Sequence, residues 1–206
     1  MVTVLDISPV RMFVRILLDN GDVYWLRKND LQECSFEEGY QYELNEFISQ
    51  IRLCQYPRAL NHAVSLLARR PYSKKELLTR LLHLKYTEEV SDLVIYKLEK
   101  EHLIDDQAFC EQWVRFRRER KLGPSLIRRE LKLKGISDDT IQKFLDETDS
   151  EAESDNAVTL AKKAWKRIHA EEDIRRSRQK IAAFLVRKGY SWDIAYSACK
   201  KAEKDK

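Results

Sequence analysis

The chain has 206 residues, with 38 Lys+Arg against 34 Asp+Glu, 43% apolar and 35% charged content, and five glycines. That length suggests one or two globular units, or an array of small ones, with enough apolar residues for packed cores. The glycines (Gly21, Gly39, Gly123, Gly135, Gly189) each stand alone, which excludes a Walker loop or dinucleotide fingerprint, and no nucleotide hydrolysis is expected.

The first residues have β character. Arg11–Leu18 and Val23–Leu26 flank Asp19-Asn20-Gly21-Asp22, and Asn-Gly between β-rich runs predicts a hairpin through a type I′ turn. Val2–Ile7 predicts a third strand ending before Pro9. The segment from Asn29 to Glu46 predicts short helices broken near Gly39.

From about residue 45 the apolar period changes from two to 3.6. Leu60, Val64 and Leu67 predict one face of a helix that runs out at Pro71. Ser73 and Glu76 have capping-box spacing, and Leu77, Leu78, Leu81 and Leu82 form the stripe behind them. Thr87 then caps a helix with acids in its first turn and Val90, Leu93, Val94 and Leu98 as its stripe.

This grammar recurs. Ser73, Leu77, Leu81 and Lys85 align with Gly123, Ile127, Leu131 and Gly135, then with Ser177, Ile181, Leu185 and Gly189. The offsets are 50 and 54 residues, and the extra four fall in an acidic, core-poor linker at Asp146–Asp155. Gly135 and Gly189 suit the left-handed position that ends a helix, whereas Lys85 makes the same stop costlier. A longer helix precedes each pair, carrying Leu60/Val64/Leu67, then Phe109/Trp113/Phe116, then Ala161/Trp165/Ile168. The expected fold is mainly α: a tandem, elongated and curved array of three three-helix repeats with a small N-terminal β-hairpin extension. The expected boundaries are 1–50 for the extension and 51–104, 105–150 and 151–206 for the repeats.

The net charge of +4 is unevenly spread. Residues 1–57 carry −4, 58–104 carry +3, 105–155 carry −3 and 156–206 carry +8. Trp113–Gly135 alone holds nine basic and two acidic residues. Clusters of this kind mark a surface for a polyanion or an acidic protein, against the alternative of a solvated helix face.

Three segments carry a resemblance to a known family. Arg69-Arg70-Pro71-Tyr72-Ser73-x-x-Glu76-Leu77-x-x-x-Leu81 resembles the opening of the first repeat of the bacterial RecX regulators. Leu103-Ile104-Asp105-Asp106-x-x-Phe109-Cys110-x-x-Trp113-Val114-x-x-Arg117 is similar to that family's most recognisable stretch. Gly123-Pro124-x-x-Ile127-x-x-Glu130-Leu131-x-x-Lys134-Gly135-Ile136 continues the match. The likeness runs from about Arg58 and is weakest in the third repeat, with Lys85 where a glycine is usual. It implies a non-enzymatic, monomeric modulator that binds the RecA–single-stranded DNA filament and restrains recombinase, ATPase and SOS co-protease activity in DNA repair.

The candidate contact surface is Arg115, Arg117, Arg118, Arg120, Lys121, Arg128, Arg129 and Lys132, with a second patch at Arg175, Arg176, Arg178, Lys180, Arg187 and Lys188. Arg suits bidentate pairing with carboxylates or phosphates. Charge reversal at Arg117, Arg118 and Arg128 is expected to abolish inhibition without lowering the melting temperature. The rival is a general nucleic-acid-binding helical-repeat protein that contacts phosphates. Asp105-Asp106 is expected to cap a helix, and Trp113 and Trp165 to pack in cores. Cys34, Cys54, Cys110 and Cys199 lack metal-ligand spacing and are expected free and buried, with no cofactor. No signal-like start or long apolar run is present, so a cytoplasmic location without membrane contact is expected.

Overall fold

A computed structural model describes residues 1–30, 34, 36–146, 150–167 and 173–204. The chain divides into two units, Met1–Asp105 and Asp106–Lys206.

Unit 1 begins with an antiparallel sheet of β1 (Val2–Val10), β2 (Phe13–Leu18), β3 (Val23–Arg27) and β4 (Gln41–Tyr42), in the order β3-β2-β1-β4. The expected third strand is β1, and it continues through Pro9. This is tolerated because β4 pairs only with Val2 and Thr3, leaving the edge beside Pro9 without a ladder. The Asn-Gly hairpin joins β2 to β3, but by a different turn. Gly21 N donates to Leu18 O and Leu18 N to Asp22 O, both at 3.0 Å, and Gly21 has φ 88° while Asn20 has no positive φ. A type I′ turn needs positive φ at both residues, so this is a type I turn closed by a left-handed glycine. Asn20 contributes its side chain instead, accepting from Asp22 N at 3.0 Å.

Of the short helices expected from Asn29 to Glu46, the described residues show a 3-10 turn at Asp30, then irregular chain, β4 and the start of a long helix at Leu44. Gly39 N donates to Val4 O at 2.8 Å, which binds this segment to the sheet. Helix α1 (Leu44–Leu67) then runs for 24 residues, its N-cap Glu43 accepting from Glu46 N at 3.0 Å. Its first half closes a core of Val4, Ile16, Leu18 and Leu26 with Phe36, Tyr42, Phe47 and Ile51. Here the expectation of four free cysteines fails. The connection after β3 packs on α1 and brings Cys34 to Cys54 as a disulfide, with Cα atoms 6.7 Å apart. Cys110 and Cys199 are free and buried, and burial pushes both thiols up to about 11.

The second half of α1 packs with α2 (Lys74–His83) and α3 (Glu88–Lys100). Ser73 and Glu76 form the capping box, and Thr87 accepts from Val90 N at 3.3 Å. Leu77, Leu81, Val90, Val94 and Leu98 are fully buried as expected. On α1 the fully buried positions are Ala59 and Ala63, with Leu60 and Leu67 half-buried against the same core as expected, while Val64 is 45% exposed. Small residues let the helix axes approach, with the larger Leu60 and Leu67 packing at the margin and Val64 facing water. Gln55, 2% exposed, joins sheet to repeat: Nε2 donates to Trp25 O at 2.7 Å, and Oε1 accepts from Thr87 N at 2.9 Å.

Unit 2 contains α4 (Asp106–Glu119), α5 (Pro124–Leu133), α6 (Asp138–Asp146), α7 (Ser150–Trp165), α8 (Ile174–Arg187) and α9 (Trp192–Lys204). One core gathers Phe109, Cys110, Val114, Ile127, Leu131, Ile141 and Leu145 from α4–α6. The other is rich in alanine: Ala157, Ala161, Ala195, Ala198 and Ala202 surround Trp165, Ile181 and Leu185. Trp165 is a core residue as expected, with Nε1 donating to Cys199 O at 3.4 Å. Ile168 lies outside the described residues. The expected acidic linker is a helix over its described second half, where Glu151 and Glu153 occupy the first turn of α7 and meet the positive end of its dipole.

The repeated stop is built alike in all three copies. Lys85, Gly135 and Gly189 have φ 71°, 84° and 98°, and the next amide reaches back to Leu81 O, Leu131 O and Leu185 O. Lys85 therefore holds a left-handed conformation that costs a non-glycine residue about 1–2 kcal/mol. Ser177, expected to cap like Ser73, instead lies buried inside α8, whose N-cap is Asp173, and Gly123 at the aligned position caps nothing by side chain. A Cβ there would lie 2.3 Å from Gly189 C and 2.4 Å from Gly189 O. The position is glycine because the start of α5 butts against the end of α8. Gly123 N donates to Lys188 O at 2.8 Å and Ser125 N to Gly189 O at 3.1 Å. Orphan amides of one helix thus meet orphan carbonyls of another.

Candidate interaction surfaces

The cation-rich stretch lies on α4, its terminal turn and α5. α4 ends with Lys121 in the left-handed region (φ 57°), Lys121 N bonding to Arg118 O and Leu122 N to Arg117 O. This stop aims successive cations in different directions, and they divide into those with internal partners and those without.

Arg117 is turned inward. Its Nε stands 2.7 Å from Glu130 Oε2 as a charge pair, off hydrogen-bond geometry, while Trp113 Nε1 donates to the same oxygen at 3.0 Å. Its guanidinium lies 4.4 Å from the Trp113 ring centre. Arg118 donates to Phe144 O at 3.3 Å and Leu145 O at 3.1 Å, occupying carbonyls at the end of α6. Arg128 bonds the Gln142 side chain, and Lys132 pairs with Asp138 at 2.7 Å. The Lys121 carbonyl accepts from Tyr190 Oη at 2.9 Å. Charge reversal at Arg117 and Arg118 therefore carries a stability cost that the residue types did not disclose.

The remaining cations face outward. Arg115 is 83% exposed and only 3.7 Å from Glu119, a geometry worth a few tenths of a kcal/mol. Arg120 and Arg129 are exposed and make no salt bridge among the described residues. Arg120 lies 4.2 Å over the ring of Phe116, itself 42% exposed. The expected core face of α4 thus shifts to Phe109, Cys110 and Val114, with Phe116 at the surface and Trp113 half-buried. Trp113 stacks on Phe109 at 5.8 Å, with Lys134 Nζ 4.0 Å from its ring centre. Asp105 stands just before α4 and Asp106 in its first turn, where the dipole favours acids.

In the third repeat Arg178 is structural, with Nε and Nη2 donating to Glu203 Oε2 at 3.1 and 2.6 Å. Lys180 and Arg187 are exposed on α8, and Lys188 is its C-cap. Arg175 and Arg176 are exposed in the first turn of α8, whose dipole disfavours cations. Their placement breaks a local rule, with no ion pair to offset it among the described residues. The Gly123–Gly189 contact brings the two basic stretches together, because Arg120-Lys121 and Arg187-Lys188 flank the two turns that it joins.

Sequence reasoning missed the ladder of Trp192, Tyr196 and Lys200 on α9. Trp192 is 57% and Tyr196 39% exposed, with Lys200 Nζ 4.7 Å from the Tyr196 ring centre. The signal was present as spacing of four and four in a helix. Among the described residues no group of three or more His, Cys, Asp or Glu side chains is placed to hold a metal, and no helix is long and apolar enough to cross a membrane.

Three three-helix units, each with its own core, define a helical-repeat protein, with outward arginines that make no ion pair among the described residues. Three family models describe these units: the first, second and third three-helix domains of RecX match residues 59–98, 105–145 and 151–199. The chain is 34% identical over 134 residues to the regulatory protein RecX of Chlorobium phaeobacteroides, covering 65% of this chain and 85% of the relative. It is 32% identical over 148 residues to that of Legionella pneumophila, covering 71% and 95%. A crystal structure of a regulatory protein RecX superposes with a TM-score of 0.67 over 98% of this chain and 100% of the other, at 23% identity. The chain belongs to the RecX family of regulatory proteins.

Proposed function

We propose that this chain, as a cytoplasmic monomer, binds the RecA filament on single-stranded DNA and restrains its recombinase, ATPase and co-protease activities in repair and the SOS response. It acts by occupying surface, with no chemistry of its own. The observation that carries the reading is the set of outward arginines without ion pairs among the described residues: Arg120, Arg129, Arg175, Arg176 and Arg187. Guanidinium groups suit bidentate pairing with carboxylates or phosphates. Placed on two adjoining repeats, they let modest contacts add through high effective concentration.

The test is RecA ATPase on single-stranded DNA with substoichiometric protein. Inhibition is expected, and expected to vanish in Arg120→Glu/Arg129→Glu/Arg187→Glu at an unchanged melting temperature. An unaltered ATPase rate and filament length with the native chain would refute the proposal. A second reading, direct nucleic-acid binding, is favoured by Phe116 with Arg120 and by the Trp113–Lys134 pair, since bases stack on such groups. It predicts binding to naked single strands that weakens steeply with salt, whereas filament recognition requires assembled RecA.

A further inference from the structure

Unit 1 carries a groove that the basic surfaces of unit 2 do not use. It runs between α1 and α3 with a volume of about 710 Å³. Tyr56, Pro57 and Leu93 line it, with Leu53 and Tyr96 alongside. Leu53 is 71%, Tyr96 64% and Leu93 37% exposed. Tyr56 packs on the edge of the repeat's core, but Leu53, Leu93 and Tyr96 do not belong to it, and the fold gives no reason for these adjoining apolar side chains in water. Pro57 adds a polar feature: it has no N–H to give the Leu53 carbonyl four residues earlier.

The lining charges are Arg52, Lys97 and Lys100 against one carboxylate, Glu101. Arg52 pairs with Glu89 at 3.1 Å and Lys97 with Glu101 at 2.7 Å, all four side chains between 43% and 46% exposed. Exposed pairs of this kind are worth only a few tenths of a kcal/mol, so a partner's carboxylates exchange into them readily. Lys100 makes no salt bridge among the described residues.

We infer that this groove docks an acidic amphipathic helix of another protein. A partner helix would set apolar side chains spaced three and four apart against Leu53, Leu93 and Tyr96, and its carboxylates against Arg52, Lys97 and Lys100. Walls supplied by two helices, with apolar side chains and three cations against one carboxylate in the lining, match that ligand better than an uncharged one. The inference goes beyond RecA regulation and does not rest on it.

The test uses the full chain and a fluorescein-labelled amphipathic helix of leucine and glutamate, with a second peptide in which lysine replaces every glutamate. Fluorescence anisotropy at low salt is expected to show saturable binding of the acidic peptide only. Leu53→Glu and Lys100→Glu are each expected to weaken it by roughly tenfold or more, or about 1.4 kcal/mol. Both positions are exposed, so melting temperatures should stay native; if Leu53→Glu loses stability, Tyr96→Ala and Lys100→Glu supply the reading. Absence of saturable binding, equal binding of the two peptides, or unchanged affinity in the variants would overturn the inference. So would a concentration-dependent dimer in sedimentation that Leu53→Glu dissolves, because the occupant would then be a second copy.

Discussion

Gly123→Ala separates two physical explanations for a glycine. Gly123 has φ −79°, where alanine is unstrained, so on conformational grounds alone the substitution should stabilise by about 0.4–1 kcal/mol. The contact geometry predicts the opposite. The new methyl would lie 2.3 Å from Gly189 C, 2.4 Å from Gly189 O and 2.5 Å from Tyr190 N, all backbone atoms that cannot swing away. Relief requires the start of α5 and the end of α8 to part by about 1 Å, since ordinary carbon contacts lie near 3.5–4 Å. That movement breaks or stretches Gly123 N to Lys188 O at 2.8 Å, Ser125 N to Gly189 O at 3.1 Å, Ser125 Oγ to Gly189 O at 2.8 Å and Tyr190 Oη to Lys121 O at 2.9 Å. At a net ~0.5–1.5 kcal/mol each, loss of two or three gives a destabilisation of about 1–4.5 kcal/mol. The melting temperature should fall by roughly 4 °C for each kcal/mol lost. Circular dichroism against temperature and urea, with Gly39→Ala as the control, makes the comparison. Gly39 has φ 78° and nothing within 4 Å of a Cβ, so its variant should lose only about 1–2 kcal/mol of backbone strain. A Gly123→Ala protein as stable as the native chain would show that the two helix ends do not meet.

Lys85→Gly should raise the urea midpoint by the equivalent of about 0.5–1 kcal/mol, because it relieves the left-handed strain at φ 71°. A lowered midpoint would mean that the contact of Lys85 Nζ with Trp25, at 5.4 Å, outweighs the strain. Gln55→Leu should cost about 2–4 kcal/mol, since it strands Trp25 O and Thr87 N in the interior; a loss below about 1 kcal/mol in thermal unfolding would contradict that bridge. Burial, then Arg27 and Arg58, hold the His62 imidazole below its ordinary pKa of 6.5, beside the Tyr86 hydroxyl at 2.5 Å. The unfolded chain therefore takes up this proton first. Stability is full above 6.5 and declines as pH falls from there through the folded-state value. The acid-side slope of melting temperature should flatten in His62→Gln, and an identical slope would refute the assignment.

Local features were legible in the sequence. Ser73 with Glu76, Thr87, and the glycine stops at 135 and 189 act within a few residues, so type and spacing sufficed to place them, and even the costly Lys85 stop was identified. The misses are nonlocal. That α1 fully buries Ala59 and Ala63 and leaves Val64 exposed depends on how its neighbours pack on it, which no periodicity within α1 records. Cys34 reaches Cys54 only because the chain after β3 folds onto α1. Among the cations, composition counted Arg118 and Arg129 alike. One bonds the carbonyls ending α6 and the other faces water, a difference set by residues 26 and 27 positions away. For the same reason the need for glycine at 123 shows only when the end of α8 is placed against it.

Helix α1 belongs to two cores: Phe47 and Ile51 close the first under the sheet, and Ala59 and Ala63 enter the second. Every residue of the first core lies at or before Cys54, so it can close while the rest of the chain is still being synthesised. Starting a helix from coil carries a nucleation factor of about 10⁻³, or roughly 4 kcal/mol, while adding a turn to an existing helix is nearly neutral. The sheet therefore serves as a seed: it winds the first turns of α1, and the first repeat inherits a helix already begun. In pulse-labelled hydrogen exchange, amides around Ile51 should gain protection no later than those of Leu77 or Val94, and the reverse order would show that the repeat starts itself.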